Sequence, residues 1–100
     1  EIHMNAAANP AATGVETISL PRDKALAQRL SAAVAGVLGL RLRGEAGWID
    51  QSASARGRLG YVNAGGLIVE LAFISNPSDL AKLDARQHEV AAAIARALVI

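Results

Sequence analysis

The sequence predicts one α/β domain, a layered fold in which helices pack on the faces of a mainly parallel sheet. Short β-branched or apolar segments alternate along the chain with amphipathic segments of helical period, which is typical of this class. The segment GLIVELAFI (66–74) is apolar on both of its faces, as a strand covered by helices is. The length of 100 residues allows one such core and not two.

Composition and charge exclude several classes of function. A formal net charge of +1 gives no electrostatic reason to expect nucleic acid or an acidic membrane surface as a partner. The chain has no cysteine, so neither a disulfide framework nor a thiolate metal site is available. Because no apolar run approaches the roughly 18 residues of a membrane span, we expect none.

The first 40 residues predict two strands and a helix. Residues 1–6 are typical of a strand end that runs into a loop, and residues 15–20 form a β-branched segment with one more apolar face. Apolar residues then recur at helical spacing over 24–38. Asp23 is placed to cap that helix, and Gly39 suits the left-handed position that commonly ends one.

The middle of the chain is the least regular part. Residues 40–60 are polar and interrupted by glycines, and they predict a short extended piece near 40–43 and a helical turn over Gln51–Arg56. The apolar segment 66–74 follows and predicts the central strand.

Helices close the chain. Asn76 is placed to cap a helix, Pro77 fits its first position, and Asp79 favours the positive end of the helix dipole. We predict a short helix to about Leu83 and a last helix over roughly 85–98.

Two residues stand out as candidates for chemistry. Glu70 lies inside an apolar strand, where a carboxylate is costly unless it is paired or used, although a strand end in contact with water would also explain it. We predict that His3 lies at the carboxyl end of a strand, just before a loop, at the edge where open α/β sheets place ligands. Together they could serve as a metal ligand and a general base. A structural histidine and a solvated glutamate are the alternative.

Other catalytic motifs are incomplete. His88 begins HEVAA, which is similar to the HExxH pattern of zinc proteases, but Ala92 occupies the place of the second histidine. We therefore predict that His88 is a surface residue of a helix. The serines lack a G-x-S-x-G elbow, and Gly65-Gly66 precedes a strand rather than opening a helix, so neither a serine hydrolase nor a phosphate loop is expected.

Three segments occur in the order found in a known family. IHMNA (2–6), GVET (14–17) and IVELAFISNPSD (68–79) resemble the zinc-dependent N-acetylmuramoyl-L-alanine amidases of the amidase-3 family, which are cell-wall hydrolases and phage endolysins. The resemblance runs from residue 2 to about residue 98. It implies hydrolysis of the amide bond between N-acetylmuramic acid and the L-alanine of the peptidoglycan stem. It also implies action outside the cytoplasm, in the periplasm, at the wall or as a phage lysin.

The resemblance assigns roles to particular positions. His3 matches the last of the family's zinc-binding histidines, so it implies Zn²⁺ as the cofactor. Glu70 matches the glutamate that acts as catalytic base and acid. Asn5 lies beside the metal and is expected to touch substrate, whereas Glu16 looks structural.

One departure from the family pattern concerns the metal. The family holds zinc with His, Glu and His, and the first two of these ligands precede the Ile-His-x-Asn segment at which this sequence begins. We therefore expect residues 1–100 to be the C-terminal half of an amidase domain, inactive until the missing N-terminal half or a second chain completes it. A non-catalytic module that binds the cell wall or another protein is the alternative.

Overall fold

The computed structural model describes residues 1–54 and 59–99, and within them the chain forms four strands and three helices. The strands are β1 (Ile2–Asn5), β2 (Glu16–Ser19), β3 (Trp48–Asp50) and β4 (Ile68–Phe73). The helices are α1 (Lys24–Leu38), α2 (Gly60–Asn63) and α3 (Pro77–Leu98). Two short 3-10 turns, Pro21–Asp23 and Gln51–Ala53, join them.

The strands form one sheet in the order β1-β4-β2-β3. The pairs β1–β4 and β2–β3 are parallel, and β2–β4 is antiparallel. This confirms the predicted α/β fold with a mainly parallel sheet. Strand β4 is central and buried at all six positions, but one of its two neighbours runs antiparallel to it. An apolar pattern reports burial on both faces and carries no information on the direction of a neighbouring strand.

The two faces of the sheet are covered unequally. Helices α1 and α3 pack against each other and on the same face, where Val69 and Leu71 of β4 join the larger core cluster. The opposite face carries a smaller cluster of Ile18, Val62 and Ile68, to which α2 contributes. The sequence predicts helices on both faces, and here the second face has only this one short helix among the described residues.

Helix α1 has the bounds that the sequence predicts. It ends at Leu38, and Gly39 takes a left-handed φ of 67° at the C-cap. Asp23 occupies the N-cap position, but its side chain makes no capping hydrogen bond. The predicted turn begins at Gln51, as expected, and is observed as far as Ala53, while residues 55–58 lie outside the described residues.

Helix α3 begins as predicted. The side chain of Asn76 accepts hydrogen bonds from the backbone N–H groups of Ser78 (2.9 Å) and Asp79 (3.0 Å), and Pro77 takes the first helical position. The two predicted helices are one helix with a kink at Arg86, where φ is −132° and ψ is 26°. Among the described residues, no helix has both the length and the hydropathy that crossing a membrane requires.

Candidate active site

Three titratable side chains lie in one row across the sheet. His3 of β1 pairs with Glu70 of β4, and Glu70 pairs on its other side with Glu16 of β2. Residues paired in register project from the same face, and neighbouring strands lie about 4.8 Å apart. Because Val69 and Leu71 face the two long helices, this row occupies the opposite face of the sheet. The structure therefore brings together the two residues that the sequence singles out, and it adds Glu16.

Glu70 lies in the middle of its strand. It is the third of six residues in β4 and is only 7% exposed. Its neighbours on the same face are Ile68 and Ala72, both buried. The alternative that Glu70 is a solvated glutamate at a strand end is therefore wrong. A buried carboxylate in this setting is a common feature of functional sites.

His3 is more accessible than Glu70. Its side chain is 29% exposed, and Nε2 is hydrogen-bonded to Oε1 of Glu1 at 2.8 Å. The pairing of β1 with β4 shifts its register between His3 and Asn5, and such irregularities are common beside active sites. The ring of His3 can therefore be reached from outside the sheet.

The carboxylate of Glu16 forms a hydrogen-bonded ion pair with Arg43. Nε of Arg43 donates to Oε1 of Glu16 at 2.8 Å, and Nη1 of Arg43 donates to the carbonyl oxygen of Thr13 at 3.2 Å. The Arg43 guanidinium also lies 4.7 Å from the centre of the Phe73 ring. The sequence suggests a structural role for Glu16, and the structure places it beside Glu70. Only the antiparallel register of β2 against β4 reveals this proximity, and no local pattern in GVET encodes that register.

Replacement of Arg43 should destabilise the fold. In an Arg43→Ala variant the largely buried Glu16 carboxylate loses its cation, and we expect the free energy of unfolding to fall by about 1–3 kcal/mol. Arg22→Ala is the matched control because the Arg22–Asp23 pair is mostly exposed, and it should cost less than about 0.5 kcal/mol. Urea denaturation followed by circular dichroism measures both. Equal losses in the two variants would contradict the expectation.

A cavity of about 140 Å³ adjoins the row of acids. Glu16, Glu70 and Asn5 line it, while His3 stands outside its lining. The other lining residues are Met4, Ala6, Ile18, Ser54, Leu59 and Ile68. Oδ1 of Asn5 accepts from the backbone N–H of Ala6 at 2.9 Å, which holds the amide group at the carboxyl end of β1. Ligand pockets share this combination of apolar walls and a few convergent polar groups, but at roughly 300 Å³ or more they are larger than this cavity.

The described residues contribute one candidate metal ligand and not a complete metal site. Within residues 1–54 and 59–99, no group of three His, Asp or Glu side chains is arranged to hold a metal ion. A catalytic zinc site requires three protein ligands and an open position. An imidazole such as that of His3 is one of the side-chain types that bind zinc. His88, in contrast, is exposed on α3, as predicted.

Comparisons with known proteins bear on the family and the fold of the chain. The model of the N-acetylmuramoyl-L-alanine amidase family matches residues 1–99. A solved structure from Neisseria meningitidis, assigned as an N-acetylmuramoyl-L-alanine amidase, is 44% identical with a TM-score of 0.91. The match covers 97% of this chain and 53% of that one. No match was found among curated protein sequences.

More distant structures share the fold. The catalytic domain of CwlV, an N-acetylmuramoyl-L-alanine amidase from Bacillus (Paenibacillus) polymyxa var. colistinus, is 25% identical with a TM-score of 0.76, and the match covers 97% of this chain and 52% of that one. The catalytic domain of the CD27L endolysin is 21% identical with a TM-score of 0.70, over 98% of this chain and 51% of that one. The chain thus spans about half the length of each of these three solved structures. It belongs to the N-acetylmuramoyl-L-alanine amidase family.

Proposed function

We propose that this chain is the Glu70-bearing half of a zinc-dependent peptidoglycan amidase. The bond cleaved joins the lactyl group of N-acetylmuramic acid to the L-alanine of the stem peptide. The observation that carries the proposal is the pairing of His3 with Glu70 in register on one face of the sheet, beside a small cavity. Family membership supports the same reaction.

Glu70 serves as the general base and acid in this proposal. Its carboxylate accepts a proton from the attacking water and returns that proton to the nitrogen of the leaving L-alanine. The buried strand fixes the position of Glu70, and the buried apolar residues Ile18 and Ile68 line the cavity beside it. Asn5 lines the same cavity, and in this proposal its side-chain amide donates a hydrogen bond to substrate.

His3 is one of the zinc ligands in this proposal. A zinc ion held by His3 and the other ligands would supply Lewis-acid polarisation of the scissile carbonyl and would make the attacking water more acidic. The other ligands come from the part of the amidase domain that this chain does not span. We therefore expect the chain by itself to bind zinc weakly and to have no hydrolytic activity, and we expect the completed domain to act at the cell wall.

A non-catalytic module is the second candidate. The single histidine at the site, with no three-ligand group among the described residues, would suit a scaffold that binds wall fragments or a protein partner. The two functions differ in their products, because only an amidase releases a new amino terminus on L-alanine.

The proposal can be tested in a completed domain. In that protein, the part of the Neisseria meningitidis structure that this chain does not match is joined ahead of Glu1. Purified cell walls are incubated with it, and new alanine amino termini are measured beside the zinc content. We expect bound zinc, release of amino termini and inhibition by a chelator. Wall binding without new amino termini would favour the non-catalytic module.

Substitution of His3 tests the metal ligand. We expect His3→Ala to weaken zinc binding by more than about tenfold. Loss of a group that only orients a metal ligand typically weakens binding by at least about that much, so loss of a ligand itself should weaken it more. His88→Ala removes the other histidine from an exposed helical position and should leave both zinc content and hydrolysis unchanged. Unchanged zinc affinity in His3→Ala would exclude His3 as a ligand.

A further inference from the structure

We propose that Ser75 is a positioning residue for substrate binding, because its hydroxyl holds the backbone beside Asn5 and so fixes the direction of the Asn5 side-chain amide. This inference rests on the proposed function, in which that amide donates a hydrogen bond to substrate. It goes further in naming a residue that sets the geometry of the donor. Ser75 lies outside the lining of the cavity, so it acts through Asn5 and not on substrate itself.

The pairing of β1 with β4 is irregular just before Asn5. His3 pairs with Glu70 and Asn5 pairs with Phe73, so β4 takes three steps along the chain where β1 takes two. An extra residue of this kind disrupts the ladder of hydrogen bonds locally and bends the strand that carries it. The position of Asn5 relative to Glu70 therefore depends on the hydrogen bonds that follow the irregularity.

Two hydrogen bonds join the strands again beyond the irregularity. The N–H of Ile74 donates to the carbonyl oxygen of Asn5 at 2.8 Å, and the N–H of Ala7 donates to Oγ of Ser75 at 3.0 Å. The first is a backbone bond that almost any residue at position 74 would make. The second needs a hydroxyl at position 75, so it is the one that a side chain specifies.

The side chain of Asn5 is oriented by the same short stretch of backbone. Its Oδ1 accepts at 2.9 Å from the N–H of Ala6, the residue between Asn5 and the Ala7 that Ser75 holds. Because Oδ1 faces Ala6, the NH₂ group of Asn5 is the part of the amide that can donate to substrate. A shift of the backbone at Ala7 would turn the N–H of Ala6, and the Asn5 amide with it.

Helix capping does not account for Ser75. Asn76 supplies the cap of α3, and Pro77 occupies the first helical position. Ser75 precedes the cap, and its Oγ bonds to a residue 68 positions earlier in the chain. Nδ2 of Asn76 donates to the carbonyl oxygen of Ala12 at 3.3 Å. The loop between β1 and β2 is thus held near its far end by Asn76 and at the Asn5 end by Ser75.

Replacement of Ser75 by alanine should weaken substrate binding and leave the fold nearly intact. Ala7 is exposed, so water can replace the hydroxyl as the acceptor of its N–H. The backbone then loses a fixed anchor, and the Asn5 amide loses its single direction. We expect KM to rise about three- to tenfold with kcat unchanged, because one hydrogen bond is worth about that much and this one forms equally in the ground state and the transition state.

The kinetics of the completed domain with a soluble N-acetylmuramoyl peptide test the proposal. The constants kcat and KM for release of the L-alanine amino terminus are measured for the parent, Ser75→Ala, Asn5→Ala and the double variant. Ser78→Ala is the matched control, because it makes the same chemical change at an exposed position of α3. We expect both single variants to raise KM and the control to change neither constant. Ser75→Ala should add nothing once the Asn5 amide is absent.

Three kinetic results would overturn the proposal. A fall in kcat with an unchanged KM would assign Ser75 to the fold alone, since partial unfolding lowers the concentration of active protein. An unchanged KM in either single variant would show that the chain from Ser75 to Asn5 does not reach substrate. Additive increases in the double variant would show that the two residues act independently.

A measurement without substrate separates this inference from the proposed function. In the same proteins, NMR follows hydrogen exchange at the amides of Ala6 and Ala7 and the side-chain NH₂ signal of Asn5. We expect Ser75→Ala to speed the exchange and shift the Asn5 signal, and Ser78→Ala to do neither. Unchanged exchange and signal would overturn the inference even in an active domain. The expected shift in a domain that cleaves no peptide would refute the proposed function and leave the placement of Asn5 by Ser75 standing.

Discussion

Glu70→Gln should reduce amide hydrolysis by the completed domain about 10²–10⁴-fold, which is the range that a general acid–base group contributes. Glutamine has nearly the same shape as glutamate, so the variant preserves the packing around position 70. Its neutral amide group, however, cannot accept the proton of the attacking water. The zinc content and the thermal stability should stay close to those of the parent protein. The measurement is the release of alanine amino termini from cell walls at saturating zinc.

A matched control separates this effect from a general loss of charge. Glu89→Gln makes the same chemical change at an exposed position of α3, where the carboxylate pairs with Arg86. Its hydrolysis rate should equal that of the parent. If Glu70→Gln retains the parent rate, Glu70 is not the general base, and the buried acid of β4 requires another explanation.

Asp79→Asn should cause a large loss of stability, which we expect to be about 3 kcal/mol in the free energy of unfolding. Asp79 is 1% exposed, and its carboxylate accepts from the hydroxyl of Thr13 and from the backbone N–H groups of Gly14 (3.3 Å) and Phe73 (3.0 Å). An asparagine has one acceptor oxygen in place of two, so its amide N–H group would face either the backbone N–H donors or the Thr13 hydroxyl, which would then have to accept, and the charge-assisted hydrogen bonds would be lost. The first turn of α3 would then lose its link to β4 and to the loop before β2.

The control for this prediction lies on the same helix. Asp84→Asn changes an exposed residue whose carboxylate accepts from Gln87 at 3.2 Å, and it should cost less than about 0.5 kcal/mol. Urea denaturation of the 100-residue chain, followed by circular dichroism, compares the two variants. A midpoint for Asp79→Asn equal to that of Asp84→Asn would show that the three hydrogen bonds do not stabilise the fold.

Asp79 also illustrates what local sequence rules miss. The sequence predicts it in the first turn of a helix, where an acid favours the positive end of the dipole, and that position is correct. Its burial and its contacts with Thr13 and Gly14 depend on segments more than 60 residues earlier in the chain. Capping chemistry at Asn76 and Pro77 is local, so the sequence predicts it in full.

The sequence likewise predicts only part of the candidate site. The apolar run around Glu70 and the likeness of IHMNA and IVELAFISNPSD to a family were sufficient to select His3 and Glu70. Their adjacency follows from the parallel register of β1 with β4, and Glu16 joins them through the antiparallel register of β2. Strand registers are set by packing across the whole sheet, so no single segment contains them.

The sequence alone determined the α/β class, the bounds of α1, the start of α3 and the two principal candidate residues, because these depend on periodicity, capping and motif order within short segments. The tertiary structure alone decided that both long helices cover one face and that Glu16 lies beside Glu70. Each of these features arises from contacts between residues far apart in the chain, which form only when the sheet assembles.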